Sequence, residues 1–454
     1  MMKKQSDTLP FNQVIKRSGA IVPFTPQRIT NAIYRAAVAV EGRDRDTAEK
    51  LTWQVIDHLE RSLPHGKIPH IEEIQDAVEE VLIKNGHAKV AKAYILYRDE
   101  RARMRQMREE QSLQPSGNIP WVKLWQVLDW AVSHDLHTIS HVNDRIKKGE
   151  LNQITNESEM FYEEELKNAA DEICRRRDSV KIVLISGPSS SGKTTTTIKL
   201  GMLLQQMSIR MVALNVDNYF YDLDKHPVDE FGDYDYETPQ ALDIKLINQH
   251  LIKLVKGEEV RIPMYDFKSG RRHDEQTPMQ IKSNEVILID SLHGLYPPMT
   301  SEIPDEQKFR IYIEPLLQMK DKNGKYIRWT DIRLMRRMLR DAAYRAYNPE
   351  DTLTHWHYVR SSEMRHIIPN HVHADAIINS AMPYEIFVYK PKLEANFVSW
   401  INKYKEDVLR VDAYERALRI EALFQEIIAL DDDQFIPSDS VIREFIGGSS
   451  LMYH

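Results

Sequence analysis

Val180-Lys-Ile-Val-Leu-Ile-Ser186 runs directly into Gly187-Pro188-Ser189-Ser190-Ser191-Gly192-Lys193-Thr194, and this junction decides the fold. The first part is a nearly continuous apolar run, the pattern of a strand buried on both faces of a parallel sheet. The second part matches G-x-x-x-x-G-K-[ST] in full. Beyond it, Ile198, Leu200 and Leu203 mark an amphipathic helix. Strand, glycine-bearing turn and helix in that order form a phosphate cradle. The glycines let successive N–H groups turn toward an anion, and the helix N-terminus adds its positive end. The candidate nucleotide-phosphate-binding residues are therefore Gly187, Ser189, Ser190, Ser191, Gly192, Lys193, Thr194 and Thr195, a set that by itself does not separate kinases from GTPases or motor ATPases. Lys193 is expected to reach the β- and γ-phosphates and Thr194 to ligate Mg2+.

Strand and helix signals keep alternating downstream. Met211–Asp217 reads as a strand, Ala241–Val255 as a helix, and Val286–Asp290 as a second core strand ending in a carboxylate. The fold class expected is α/β, a doubly wound parallel sheet of the P-loop NTPase kind. Asp290 stands where a residue holding the metal's water shell belongs. Asp217 is expected at the carboxyl end of its strand, facing the phosphates, where it can accept the proton of an attacking hydroxyl. The alternative for Asp217 is a helix cap or turn residue. A guanine-reading N-K-x-D string is absent, Asn402-Lys403-Tyr404-Lys405 being the nearest. In Asp331–Asp341, Arg333, Arg337 and Arg340 share one helix face. Such a stripe can close over a transferring phosphoryl group, or be a solvated surface.

Upstream, Val14–Arg17 and Ala20–Phe24 suggest a hairpin about Ser18-Gly19, and Thr25-Pro26 opens a helix. Further helices are predicted over Thr47–Leu63, Ile71–Lys84 with Gly86 beyond its end, and from Ala88 to about Glu110. Gln114–Asn118 breaks the pattern as a linker. The division expected is 1–112, a helical connector 113–178, a catalytic domain 179–395 and a helical extension 396–454. In the connector, Trp121, Trp125 and Trp130 at near-helical spacing are expected to be core. A polar helix, Tyr162–Arg177, leads into the catalytic domain.

Composition sets outer bounds. A chain of 454 residues calls for two or three domains. Its net charge of −7 makes nucleic acid an unexpected partner, and no window of eighteen uncharged apolar residues suggests a membrane span. Cys174 is the only cysteine, which fits a reducing cytoplasm. His355/His357 and His371/His373 have alternate spacing but no accompanying third ligand, and are read as ordinary histidines.

With the loop, Asp217 and the arginine helix in view, residues 179–395 resemble the uridine kinase and phosphoribulokinase family. The resemblance rests on GPSSSGKTT, VDNYFYD, DYDYETPQALD, VRIPMYDFKSGRR and DIRLMRRMLRD, in the family's order. It implies that Asp217 is the catalytic base, that Asp235 contacts ribose-like hydroxyls, and that Tyr265 and Phe267 line a base pocket. It further implies that Arg337, Arg340 and Arg345 are lid arginines. Gly270 stands where the family has a pyrimidine-reading histidine, Tyr347 where it has a later lid arginine, and Asp290 where glutamate is usual. Ile442–Ser449 (IREFIGGS) is similar to the ending of a bacterial nucleoside-kinase-like subgroup. Residues 13–105 resemble the ATP-cone, through VIKRSGAIVPFTPQRI and GHAKVAKAYILYRDERAR. That likeness implies regulatory ATP or dATP at Lys16, Arg17 and Arg28, and a homo-oligomer. The expected activity is ATP-dependent phosphorylation of a small hydroxyl compound, a nucleoside by the family's pattern. A sugar phosphate, phosphoglycerate or pantothenate-like acceptor, or a non-catalytic nucleotide sensor, are the other readings.

Overall fold

The computed structural model describes residues 10–15, 21–40, 44–64, 67–96, 119–226, 238–345, 347–407 and 410–451. The chain divides into two compact units, one of residues 1–116 with 406–409, the other of 117–405 and 410–454.

In the first unit β1 (Gln13–Ile15) pairs antiparallel with β2 (Ile21–Pro23). Helices α1 (Pro26–Val38), α2 (Arg45–Ser62) and α3 (Ile71–Lys84) follow, and the described residues 88–96 are helical as well. Their buried stripes recur at helical spacing: Ile29 and Ile33, then Leu51, Val55 and Leu59, then Ile74, Val78 and Val81. Each helix start is set locally. Pro26 opens α1, Asp44 accepts from the Thr47 amide at the head of α2, and His70 and Glu73 form a reciprocal cap on α3. Gly86, at φ +79°, ends α3 in the left-handed region where glycine is strain-free.

The second unit opens with helices α4 (Trp121–Ser133), α5 (Ile139–Lys147) and α6 (Leu151–Arg175). Next come β3 (Ile182–Ser186), α7 (Lys193–Gln206), β4 (Arg210–Ala213) and α8 (Ile244–Val255). A hairpin of β5 (Val260–Asp266) and β6 (Arg271–Met279) precedes β7 (Glu285–Asp290) and β8 (Lys308–Glu314). After α9 (Trp329–Tyr344) and α10 (Pro349–His366) come β9 (Ala376–Asn379), α11 (Glu385–Tyr404), α12 (Val411–Phe424) and the short α13 (Arg443–Ile446). The main sheet has the order β4-β7-β3-β8-β9, and every pairing in it is parallel.

All five residues of β3 are buried, because each side of the strand meets a separate core. Val183 and Ile185 pack with the helices of one face, including Tyr162, Leu166 and Ile173 of α6. Ile182 and Leu184 pack on the other face with Tyr219, Ile247 and Leu251. The fold is thus the doubly wound parallel sheet expected. The helices α4, α5 and α6 that precede the sheet pack on its core and belong to the same unit. Among the described residues no helix is long and apolar enough to cross a membrane.

Three local expectations are corrected. Trp121 and Trp125 are 51% and 68% exposed, because the buried seam of α4 is Leu124, Val127 and Ala131 and the two indoles fall off it. Trp130 alone of the three packs inward, stacked on Phe161 with ring centroids 4.7 Å apart. The strand expected to carry Asp217 ends earlier, at Ala213, and Asp217 sits in a 3-10 turn over Val216–Tyr219. The polar helix leading into the sheet begins at Leu151 rather than Tyr162.

Candidate functional site

The carboxyl edge of the sheet gathers the site. β3 ends in the loop 187–192, which turns into α7. Gly187 passes so close to β8 that a Cβ there would lie 2.2 Å from the Ile313 carbonyl oxygen, so only glycine fits. Gly192 takes φ +88°, again a glycine conformation, and Ser190 enters the left-handed region at φ 58°. The loop is therefore held in a shape that ordinary residues resist. Lys193 curls back to donate to the carbonyls of Gly187 and Pro188 at 2.9 and 3.3 Å. Burial pushes the pKa of its ammonium down, against the pull of the Asp290 and Glu444 carboxylates.

A cleft of about 440 Å³ is lined by Ser189–Thr194, Asp217, Asp290, Arg337, Arg340, Arg345 and Glu444. Thr194 faces it, exposed. Asp217 and Asp290 both keep contact with solvent at its mouth. Even so, the surrounding walls push the pKa of Asp217 up, and the neighbouring Asp290 carboxylate adds to the effect. Asp290 is also pushed up by burial, against Lys193 and a 2.9 Å hydrogen bond from Thr197 Oγ1.

The arginine helix splits between two tasks. Arg337 donates to Ser189 Oγ at 3.2 Å and leans on Asp341 at 3.3 Å. Arg340 also bonds Asp341, at 2.9 Å, while the Arg345 side chain is 60% exposed beside the same carboxylate. These three are within the cleft. Arg333 is not: it is fully buried, in a two-pronged pair with Glu363 at 2.6 and 2.9 Å. Burial works against the charge on Glu363, but Arg333 and Arg360 outweigh it and hold the carboxyl below its usual range. Glu363 in turn accepts the Ser189 amide at 3.0 Å, and Arg333 donates to the Ser189 carbonyl at 3.0 Å, so this pair braces the loop from behind. The reading of Arg333 as part of the cleft-facing stripe is corrected accordingly. Arg336, also fully buried, pairs with Glu385 at 2.7 and 3.0 Å.

The remaining candidates are dispersed. Tyr265 is buried beneath Phe220, with ring centroids 5.5 Å apart, and Phe267 caps it edge-on at 5.0 Å while itself 60% exposed. Phe220 touches the cleft, so the aromatic group adjoins the loop through that ring. Thr195 is buried, and its amide and hydroxyl both donate to Glu444, at 3.1 and 2.8 Å. Arg28 lies exposed on α1 in the first unit. Asp235, Lys16 and Arg17 fall outside the described residues. His355 and His357 lie on α10, and His371 and His373 in a 3-10 turn. Sequence reasoning missed Glu363, Asp341 and Glu444 as partners of the loop and arginines. Only the IREFIGGS string, which contains Glu444, carried a signal.

Comparison with known proteins matches two separate stretches of the chain. Residues 12–103 match the model for the ATP cone domain, and residues 182–386 match that for the phosphoribulokinase/uridine kinase family. Uridine-cytidine kinase B of Dictyostelium discoideum is 27% identical over 198 residues, 43% of this chain and 73% of that protein. Uridine kinase of Borrelia turicatae is 29% identical over 200 residues, 44% of this chain and 86% of that protein. Uridine kinase of Deinococcus deserti is 26% identical over 198 residues, 43% and 86% of the respective chains.

Proposed function

We propose that this chain, an ATP cone domain followed by a phosphoribulokinase/uridine kinase family domain, transfers the γ-phosphate of ATP to a nucleoside hydroxyl. The domain makes it a phosphotransferase with an alcohol acceptor; the nucleoside, of the uridine or cytidine kind, is our reading. The observation that carries it is the shared cleft, in which a phosphate loop, the carboxylates of Asp217 and Asp290 and three arginines converge. Main-chain amides within 190–194 and Lys193 hold the triphosphate. Asp217, its pKa raised by burial and by the Asp290 carboxylate, takes the proton of the attacking hydroxyl. Arg337 and Arg340 meet the charge that spreads over the transferring oxygens. The oxygen donors of Thr194 and Asp290 suit magnesium and would hold it, where its charge would offset that of the phosphates.

An acceptor panel with radiolabelled ATP tests this reading. Uridine or cytidine is expected to be phosphorylated at least tenfold faster than a sugar phosphate, glycerate or pantothenate, a difference of about 1.4 kcal/mol in barrier. Transfer to one of the latter three and to no nucleoside would overturn it. The position of the family's base-reading histidine is closed here for a structural reason. Gly270 sits at φ +66° in the β5–β6 turn, and a Cβ on it would meet Leu223 Cβ at 2.9 Å. Gly270→His is therefore expected to lose about 1–3 kcal/mol of stability in urea unfolding rather than to gain uridine turnover. A stable variant with faster uridine turnover would show that the turn accepts a side chain.

ATP or dATP at the N-terminal domain is proposed to regulate the enzyme through self-association. Light scattering is expected to give a different molar mass with saturating ATP or dATP than without. Equal masses in all three conditions would remove the proposal.

A further inference from the structure

The nucleotide site already has an oxyanion in it, supplied by the chain itself. Glu444 lies 249 residues beyond Thr195, yet its Oε2 accepts both the Thr195 amide and the Thr195 hydroxyl. Those donors belong to the first turn of α7, where unsatisfied N–H groups and the helix dipole hold phosphate oxygens. Thr195 cannot give the same two hydrogens to a carboxylate and to a phosphate at once.

The support beneath Glu444 is fixed rather than loose. Val441 Cγ2 fills the space a Cβ of Gly192 would need, 2.6 Å from that point. The Phe445 ring lies 4.9 Å from the buried Arg336 guanidinium. Arg443 donates to the carbonyls of Asp433 and Ile436 at 2.6 and 2.9 Å. Glu444 itself is 7% exposed and lines the cleft. A carboxylate held this firmly, on donors that suit a phosphate, is a ligand mimic.

We propose that Glu444 is a built-in competitor that a nucleoside triphosphate displaces when its inner phosphate takes the Thr195 donors. The segment 440–448 thereby sets the affinity for ATP, a statement that rests on the loop being the ATP site. A receptor whose competent state is only partly populated binds with affinity reduced by that fraction. Removing the competitor should restore it. Titration calorimetry of MgATP, without acceptor, on the full chain and on Glu444→Gln, Glu444→Ala and Glu444→Asp tests this. Glu444→Ala is expected to bind roughly tenfold more tightly, with Glu444→Gln between it and the parent. Should Glu444→Ala fail to fold by circular dichroism, Glu444→Asp withdraws the carboxylate by one methylene and is expected to tighten binding as well. Unchanged or weaker binding in the folded variants overturns the proposal, weaker binding meaning that Glu444 holds Thr195 ready. ATP bound equally by parent and variants leaves the kinase reading standing, whereas no binding by any of them ends both.

At the turn between α4 and α5, Asp135, His137 and His141 each bring a ligand atom to within 4.8 Å of the other two. The Nδ1 atoms of both histidines are buried and have no hydrogen-bond partner, and the rings lie 4.6 Å apart. Asp135 takes φ 53°, a conformation an L-residue adopts at a cost. The turn is tied to the segment between β8 and α9: Lys320 donates to the His137 carbonyl at 2.9 Å and accepts the Ile139 amide at 3.0 Å. Two imidazoles and one carboxylate with open positions are the donor set of borderline divalent ions, zinc foremost. We infer that these three residues bind one such ion and so fasten that turn. Chelator-treated full-length protein titrated with Zn2+ is expected to take up one equivalent, counted by elemental analysis. His137→Ala and His141→Ala are each expected to weaken that binding at least tenfold while the metal-free melting temperature is kept. No uptake, or equal uptake by parent and variants, overturns the assignment.

Discussion

Replacing Asp217 by Asn is expected to lower phosphoryl transfer by roughly 10²–10⁴-fold, the contribution of a positioned general base. ATP binding should stay within about threefold of the parent, because Asp217 bonds no atom of the loop and its own amide is held by Asn215 Oδ1 at 3.0 Å. The two carboxylates of the cleft are not equivalent in this respect. Asp290 accepts from Thr197 on α7 and faces Lys193, so its loss is expected to weaken nucleotide binding as well. Asp217 lies in a short turn whose flanks, Val216 and Tyr219, are buried, which fixes the backbone without occupying the carboxylate. A group that is anchored, unshared and raised in pKa suits proton abstraction near neutral pH. Rapid-quench measurement of the chemical step, with calorimetry of MgATP beside it, separates the two effects. Parental turnover in Asp217→Asn would remove Asp217 from the base role, and a loss confined to ATP affinity would reassign it to nucleotide binding.

What the sequence discloses here follows from how far each interaction reaches along the chain. The strand, loop and helix about Lys193 were legible because the motif is contiguous: the turn, its glycines and the helix start lie within fifteen residues of one another. The two-faced burial of β3 was legible for the same reason, as an unbroken apolar run. The tryptophans of α4 were misread because helical spacing tells which residues share a face, not which face meets the core. Leu124, Val127 and Ala131 win that contest, and two indoles are left outside. Asp217 was read as a strand end because Met211–Asp217 is apolar almost throughout, while its hydrogen bonding to the sheet stops early. Glu363 gave no local sign, and Glu444 only its place in the IREFIGGS string. A carboxylate becomes part of a phosphate loop through contacts 174 and 249 residues away, and nothing in its own neighbourhood records that.

The arginines of α9 bring the same point to a measurable contrast. Arg333→Ala is expected to cost about 3–5 kcal/mol in urea unfolding, because it takes the paired cation from buried Glu314 and leaves buried Glu363 with Arg360 alone. Glu314 is already pushed up in pKa by burial, with Arg333 the main force opposing the rise, so the variant should take up protons there on folding. Arg337→Ala, one turn further on, removes a partly exposed side chain whose bonds go to Ser189 Oγ and Asp341. It should change stability by no more than about 1 kcal/mol, yet slow phosphoryl transfer by roughly 10²–10³-fold through lost stabilisation of the transferring oxygens. The two residues lie on one stripe of one helix and differ only in what packs against them. Equal losses of stability in the two variants would show that burial does not divide the helix. Unimpaired turnover in Arg337→Ala would show that the arginines at the cleft serve the fold alone.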